Sequence, residues 1–298
     1  LLRACDPNNI AGLLRASARK LAVIAEKTLG FPRAIEAVAG LLLENNKMLG
    51  LDDLLSDKEL LSRQTTETIV RNAIMRLSPE TIRIMEGLAL FERPVQQEAL
   101  EYLLAPYVDI ANLRLLLGRL VQSYFVSYNK ATKMFSLHPI DREFCYNRIL
   151  EESPENKPQS GQLPGYTRYA LHLRAANYYV QIRNQREEWK SIAHLEPQLA
   201  EFGHRIKAGD YNAAAVLLDD IDENYLSLWG HAKLVLTMRQ QLLAKITDAK
   251  LAEQNLNRLS VVYYNLGLCN DSISCGLQAV QMINQGAGDK REMAIALS

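Results

Sequence analysis

Apolar residues recur at three- and four-residue steps over most of the chain, which predicts a mostly α-helical protein. The first stripe is Leu13, Leu14, Ala18, Leu21, Ala22, Ile24 and Ala25. Gly30-Phe31-Pro32 ends it, with glycine as a helix stop and proline as the opening of the next helix. That second helix is predicted over about 32–44, with Ile35, Val38, Ala39 and Leu42 on one face, and 50–62 reads as a short, acidic-leaning connection. A further helix carries Ile69, Ala73, Ile74 and Leu77. Ser78-Pro79-Glu80 starts another that runs to about Leu90, with Ser as cap, Pro in the first turn and an acid at the positive end of the dipole.

Pro94 is expected to open a helix with Val95, Ala99, Leu100 and Leu103, followed by one over about 110–123 with Leu113, Leu116, Leu117, Leu120 and Val121. The period then changes from helical to two. Residues 124–128 and 133–137 are aromatic-rich runs on either side of a polar turn at 129–132, the signature of a β-hairpin. Pro139 begins a closing helix. Three helices and then a hairpin is the order of a winged-helix domain. Residues 151–165 hold three prolines and mostly polar side chains and read as a linker.

Beyond the linker nothing reads as strand. Stripes appear at Tyr169, Leu173, Ala176 and Val180, and again at Trp189, Ile192, Leu195, Leu199, Phe202 and Ile206. After a turn at Gly209-Asp210-Tyr211, a short helix carries Ala214, Ala215 and Leu218. A long one is expected over about 225–246. Residues 259–267 place an aromatic three residues before Leu266-Gly267, and Ala279 follows twelve after the glycine, matching the tetratricopeptide pattern. On this reading Gly267 and Ala279 let two antiparallel helices approach closely. Met293 to Ser298 resembles the start of a following repeat. The predicted fold is therefore mostly α: a helical segment over 1–62, a winged helix with a small hairpin wing over 63–150, a linker over 151–165, and an α-solenoid of tetratricopeptide-like repeats over 166–298.

At 298 residues the chain is long enough for two or three domains of roughly 150 residues. Its 48% hydrophobic and 23% charged content excludes a largely disordered polypeptide. Lys and Arg together number 34, as do Asp and Glu, so the basic excess of many nucleic-acid binders is missing. No apolar run approaches the roughly 18 residues of a membrane span. The opening Leu1-Leu2-Arg3 has neither a methionine nor a signal-like core, which leads to the expectation that the chain is part of a longer polypeptide. Cys5, Cys145, Cys269 and Cys275 follow no disulfide or zinc spacing and suit a reducing cytoplasm.

Enzyme motifs are lacking: there is no GxxxxGK[ST] phosphate loop, HExxH, GxSxG or CxxC. His138, His172, His194, His204 and His231 have no metal-ligand spacing, and Asp219-Asp220 and Glu187-Glu188 read as solvated helix faces rather than acid–base pairs. Two short motifs stand out. Leu29-Gly30-Phe31-Pro32-Arg33-Ala34 and Leu137-His138-Pro139 lie about 105 residues apart, flank the winged-helix pattern and precede the repeats.

That series resembles the carboxy-terminal part of an NB-ARC-type STAND signalling NTPase, a family with many bacterial members, and the resemblance spans essentially the whole chain. It implies that Gly30 and Pro32 belong to a GxP motif whose proline lies against adenine. It also implies that His138 belongs to the bacterial form of the MHD motif, whose histidine reaches the phosphates of ADP. Pro139 departs from that motif by replacing the acid, and Asp141, one turn into the helix, would oppose a phosphate. From the residues alone, His138 reads equally as a helix cap and Pro32 as an ordinary helix-start proline. The resemblance places the phosphate loop and the Mg²⁺-binding acid in a segment preceding Leu1, so the chain itself is expected not to hydrolyse ATP and to hold no cofactor of its own. Its expected partners are a nucleotide-binding domain of the same polypeptide and a protein ligand on the repeats, where Tyr211, Tyr263, Tyr264 and Asn270 are candidate surface residues. A DNA-binding regulator is the alternative, through Arg114, Arg119 and Gln122 on the third helix and Lys130 and Lys133 in the wing. A protein-docking scaffold is the other. The thin basic set, interleaved with Asp109, favours intramolecular packing over DNA.

Overall fold

The computed structural model describes residues 1–44, 49–57, 65–151 and 165–284. These fall into two compact units, residues 1–151 with 165–167, and residues 168–284. Among the described residues there are fourteen α-helices and one two-stranded sheet.

In the first unit, helix α1 spans Ala18–Lys27. It starts later than its apolar stripe suggests, because Ser17 caps it and the preceding segment is folded around Asp6 instead. The Asp6 carboxylate accepts the backbone N–H groups of Ile10, Ala11 and Leu13 at 2.6, 3.0 and 2.9 Å, and Leu13 is fully buried without being helical. Helix α2 is Pro32–Glu44, buried along most of its length and packed on α4 (Thr66–Ile74) and α7 (Ile110–Gln122). The connection expected after residue 50 holds a short helix, α3 (Leu51–Ser56). Residues 58–62, its remaining part, lie outside the described residues.

Helix α5 (Pro79–Leu90) begins as predicted, with the Ser78 hydroxyl accepting from the Thr81 N–H. Pro94 does not open a helix. Helix α6 is Gln97–Leu104, and Val95 instead exchanges two backbone hydrogen bonds, at 3.0 and 2.8 Å, with Phe135. The hairpin is present but shorter than the aromatic runs: β1 is Ser127–Asn129 and β2 is Met134–Ser136, with Tyr128 opposite Phe135. Tyr124, Phe125 and Val126 are missing from β1 because their N–H groups close the end of α7, bonding to the carbonyls of Val121 and Leu120. Helix α8, Pro139–Arg148, then packs on α5.

The second unit is helical throughout its described residues. Helix α9 is Arg168–Gln181. Where one helix was expected from Trp189, two 3-10 turns (Arg186–Glu188 and Ile192–Leu195) come first, and α10 is Glu196–Lys207. The break falls where Pro197 can be accommodated only in a first helical turn. Helix α11 is Tyr211–Ile221 and α12 is Ala232–Leu242. The single long helix expected over 225–246 is therefore corrected to a π-helical turn, Asp222–Ser227, then a reversal at Gly230 (φ +85°), then α12.

Buried charge explains that interruption. Arg239, 1% exposed, donates to Asp222 at 2.8 Å, Asp219 at 3.0 Å and Asn255 at 3.2 Å, which requires the irregular turn to bring Asp222 inward. Helices α13 (Ala249–Asn265) and α14 (Cys269–Met282) form the pair with the repeat-like pattern. Ala279 is fully buried between them as expected, but Gly267 has a different role. A Cβ there would meet nothing within 4 Å, and the glycine is needed for its left-handed φ of +75° at the turn. Residues 293–298, which resemble the start of a further repeat, lie outside the described residues. No helix among the described residues is long and apolar enough to cross a membrane.

Inside α9 and α10 the rings of His172 and His204 meet Nδ1 to Nδ1 at 2.9 Å, so one donates and the other accepts. Burial, then the charges of His204, Lys207 and Arg168, depress the His172 pKa to about 2. The unfolded chain takes up this proton near pH 6.5 while the folded one refuses it. Stability from this site is thus complete above that pH and drains away as pH falls, by up to about 1.4 kcal/mol per pH unit. Urea denaturation at pH 7.5, 6.5 and 5.5 should show that loss, and His172→Gln should flatten it. An equally steep decline in the variant would rule the pair out as its source.

Candidate functional site

The two motif turns singled out in the sequence come together at one end of the first unit. Gly30, with φ +70°, follows Leu29, which is itself left-handed at +53°, and this double reversal sends the chain into α2 at Pro32. The next side chain, Arg33, turns inward and is 8% exposed. Its Nε donates to Asp141 Oδ1 at 3.1 Å and its Nη2 to Asp141 Oδ2. Nη1 reaches the carbonyl of Tyr124 at 2.8 Å and Glu36 at 3.3 Å. Asp141, in the first turn of α8, is fully buried. Burial pushes its carboxyl pKa up, while the charge and hydrogen bonds of Arg33 pull the other way. Asp141 is therefore occupied by a cation of its own rather than facing outward as a repulsive charge.

Three residues before Asp141, His138 caps α8: its Nδ1 accepts the Ile140 N–H at 3.3 Å. An accepting Nδ1 fixes the tautomer, leaving the proton of the neutral ring on Nε2. His138, Pro139 and Pro32 are exposed, and so are Leu29 and Phe31, at 61% and 51%. The buried bond below thus carries an exposed surface of two prolines, two large apolar side chains and one imidazole. The donor this surface offers an anion is His138 Nε2, since Pro139 has no N–H and the Ile140 N–H is taken by His138 Nδ1. Among the described residues no three His, Cys, Asp or Glu side chains converge as a metal would require. Arg33 is the residue the motifs did not reveal; the available signal was a lone arginine opening an otherwise apolar helix face.

Further along α2 the same joint is closed twice more. A Cβ on Gly40 would lie 2.1 Å from the Ser123 carbonyl oxygen and 3.1 Å from the Phe125 ring, so the backbone of α2 touches the end of α7 directly. Glu44, at the end of α2, takes Arg119 at 2.6 Å and the Ser123 hydroxyl at 3.1 Å. Arg114 is likewise engaged, with Glu101 at 2.6 and 2.9 Å. Two of the cations that a DNA-reading third helix would need are thereby neutralised within the unit, while Gln122, Lys130 and Lys133 are exposed. All four cysteines are free thiols, and burial raises the pKa of Cys145 far above the reactive range.

No protein-family model matches the chain, and neither does any curated protein. Among solved structures, the chain is similar to a Signal Transduction ATPase with Numerous Domains (STAND) protein with a tetratricopeptide repeat sensor from Pyrococcus horikoshii, at 14% identity and a TM-score of 0.44. The match covers 94% of this chain and 41% of that one, so the chain spans less than half the length of that protein.

Gly40→Ala should cost about 2 kcal/mol or more, because the clash is with backbone that cannot rotate away. Gly118→Ala in α7, where a Cβ meets nothing within 4 Å, should gain roughly 0.5–1 kcal/mol. Chemical denaturation of the two variants separates these signs, and a neutral Gly40→Ala would dissolve the proposed contact between α2 and α7.

Proposed function

We propose that this chain is the regulatory and sensing portion of a cytoplasmic STAND-type signalling ATPase. In this reading the segment over 63–150, from α4 to α8 with Val95 pairing beside the hairpin, is a winged helix that closes over ADP held by a nucleotide-binding domain. The helices of the second unit bind a ligand. The catalytic phosphate loop and its Mg²⁺ belong to the nucleotide-binding domain, so this chain alone does not turn ATP over.

The observation that carries the reading is the Arg33–Asp141 bond, because it sets Pro32 and His138 at one end of a single unit. Neither turn by itself would make a nucleotide-facing surface. Together they offer an apolar edge for a base, at Phe31 and Pro32, and a donor for a phosphate, at His138 Nε2. Burying Asp141 against Arg33 removes a carboxylate that would otherwise repel that phosphate. Signalling then follows from population shift: a ligand that prefers the open arrangement loosens the clamp, and nucleotide exchange follows.

The test is calorimetric titration of ADP into this chain joined to its nucleotide-binding domain. His138→Ala should weaken ADP roughly 10- to 100-fold, the range expected for a hydrogen bond to a charged group. Because alanine also removes the cap of α8, His138→Asn is the decisive variant. Asparagine keeps a capping oxygen and so the thermal midpoint, but places no donor where Nε2 was, and ADP should be lost just the same. Unaltered ADP retention in both variants would refute the phosphate role.

A further inference from the structure

The second unit contains a cavity of about 470 Å³, lined by Tyr169 and Leu173 of α9, Asp210 and Tyr211 at the start of α11, and Lys245 and Thr247 in the loop between α12 and α13. We propose that it is a recognition site for a carboxylate that adjoins an N–H donor, the headgroup shared by a free amino acid and a peptide chain end. This deepens the sensing role proposed above and rests on it for its biological meaning, although the site itself stands on the geometry that follows.

The wall is held in advance. Asn212 ties the first turn of α11 to the opposite loop: its Nδ2 donates to Thr247 Oγ1 at 2.9 Å, and its Oδ1 accepts the N–H groups of Thr247 and Asp248 at 3.0 and 3.3 Å. Ala244, at φ +57°, turns the chain out of α12 just ahead of Lys245. The Lys245 amine then rests 5.2 Å from the centre of the Tyr211 ring, with no carboxylate paired to it among the described residues.

What the cavity presents is mainly donors. No side chain caps α11, so its first-turn amides are free of the usual competitor. Tyr169 is only 8% exposed and lines the cavity, and its hydroxyl makes no hydrogen bond among the described residues. The ring is buried while the phenol O–H is reached from the cavity, where it is available to donate to whatever enters. Amine, hydroxyl and helix amides together select an anion.

Asp210 narrows the choice. One of its oxygens takes Arg205 at 2.7 Å, and the other is left to accept. A carboxylate beside the anion site repels a dianionic phosphate more than a monoanion, and it complements an N–H on the same ligand. The match is a carboxylate one atom removed from nitrogen.

Calorimetric titration of the full chain with N-acetylalanine, alanine and inorganic phosphate tests this. A small carboxylate should bind saturably with a dissociation constant on the order of a millimolar. Lys245→Met should weaken it about tenfold or more, and Tyr169→Phe about threefold or more, with thermal midpoints unchanged. N-acetylalanine binding above alanine identifies a chain end as the occupant, and the reverse order identifies a free amino acid; either supports the site. Tighter binding of phosphate, no saturation by either carboxylate, or wild-type affinity in Lys245→Met would overturn it. None of these outcomes depends on ADP retention in the first unit, so the two proposals fail separately.

Discussion

Arg33 and Asp141 are 108 residues apart in the chain and bonded in the interior of the first unit. Neither charge belongs there alone. Removing an ion from water without a partner costs several kcal/mol, and this pair offsets the cost only through its two-point geometry and the extra bonds from Arg33 to the Tyr124 carbonyl and Glu36. The requirement fixes the start of α2 against the start of α8. Everything exposed at that end, from Leu29 to Pro139, takes its position from this demand.

The joint continues along α2 by different means. At Gly40 it is steric, a backbone contact with no room for a side chain, and at Glu44 it is again ionic but nearer the surface. A helix fastened at both ends and in the middle moves as one body with α7 and α8. Any motion that separates them must expose Arg33 and Asp141 together, at a cost of several kcal/mol. Such a joint suits a unit proposed to move as one piece.

Local chemistry made much of this legible. Ser78-Pro79-Glu80 predicted α5, the leucine spacing predicted α7, and Gly30-Phe31-Pro32 marked the break between α1 and α2 because caps and stops act within a few residues. The misreadings have a shared cause. Pro94 looks like a helix opener until Val95 finds Phe135 forty residues away, and the helix expected over 225–246 is broken by the need to bring Asp222 to Arg239. Asp141 looked like an obstacle to phosphate because its partner could not be seen from the α8 segment. Long-range pairing of buried polar groups leaves no periodic trace. The cavity of the second unit is hidden for the same reason: Tyr169 in α9 and Lys245 after α12 are brought to Tyr211 and Asn212 from two separate segments.

A double-mutant cycle on Arg33 and Asp141 is the most direct test of the joint. Arg33→Met and Asp141→Leu should each cost roughly 3–5 kcal/mol in chemical denaturation, since each strands a buried charge. The double variant should be no worse than either single one, giving a coupling of about 3 kcal/mol or more. Losses that simply add would mean that the two side chains do not depend on each other, and that α2 is held to α8 by something else.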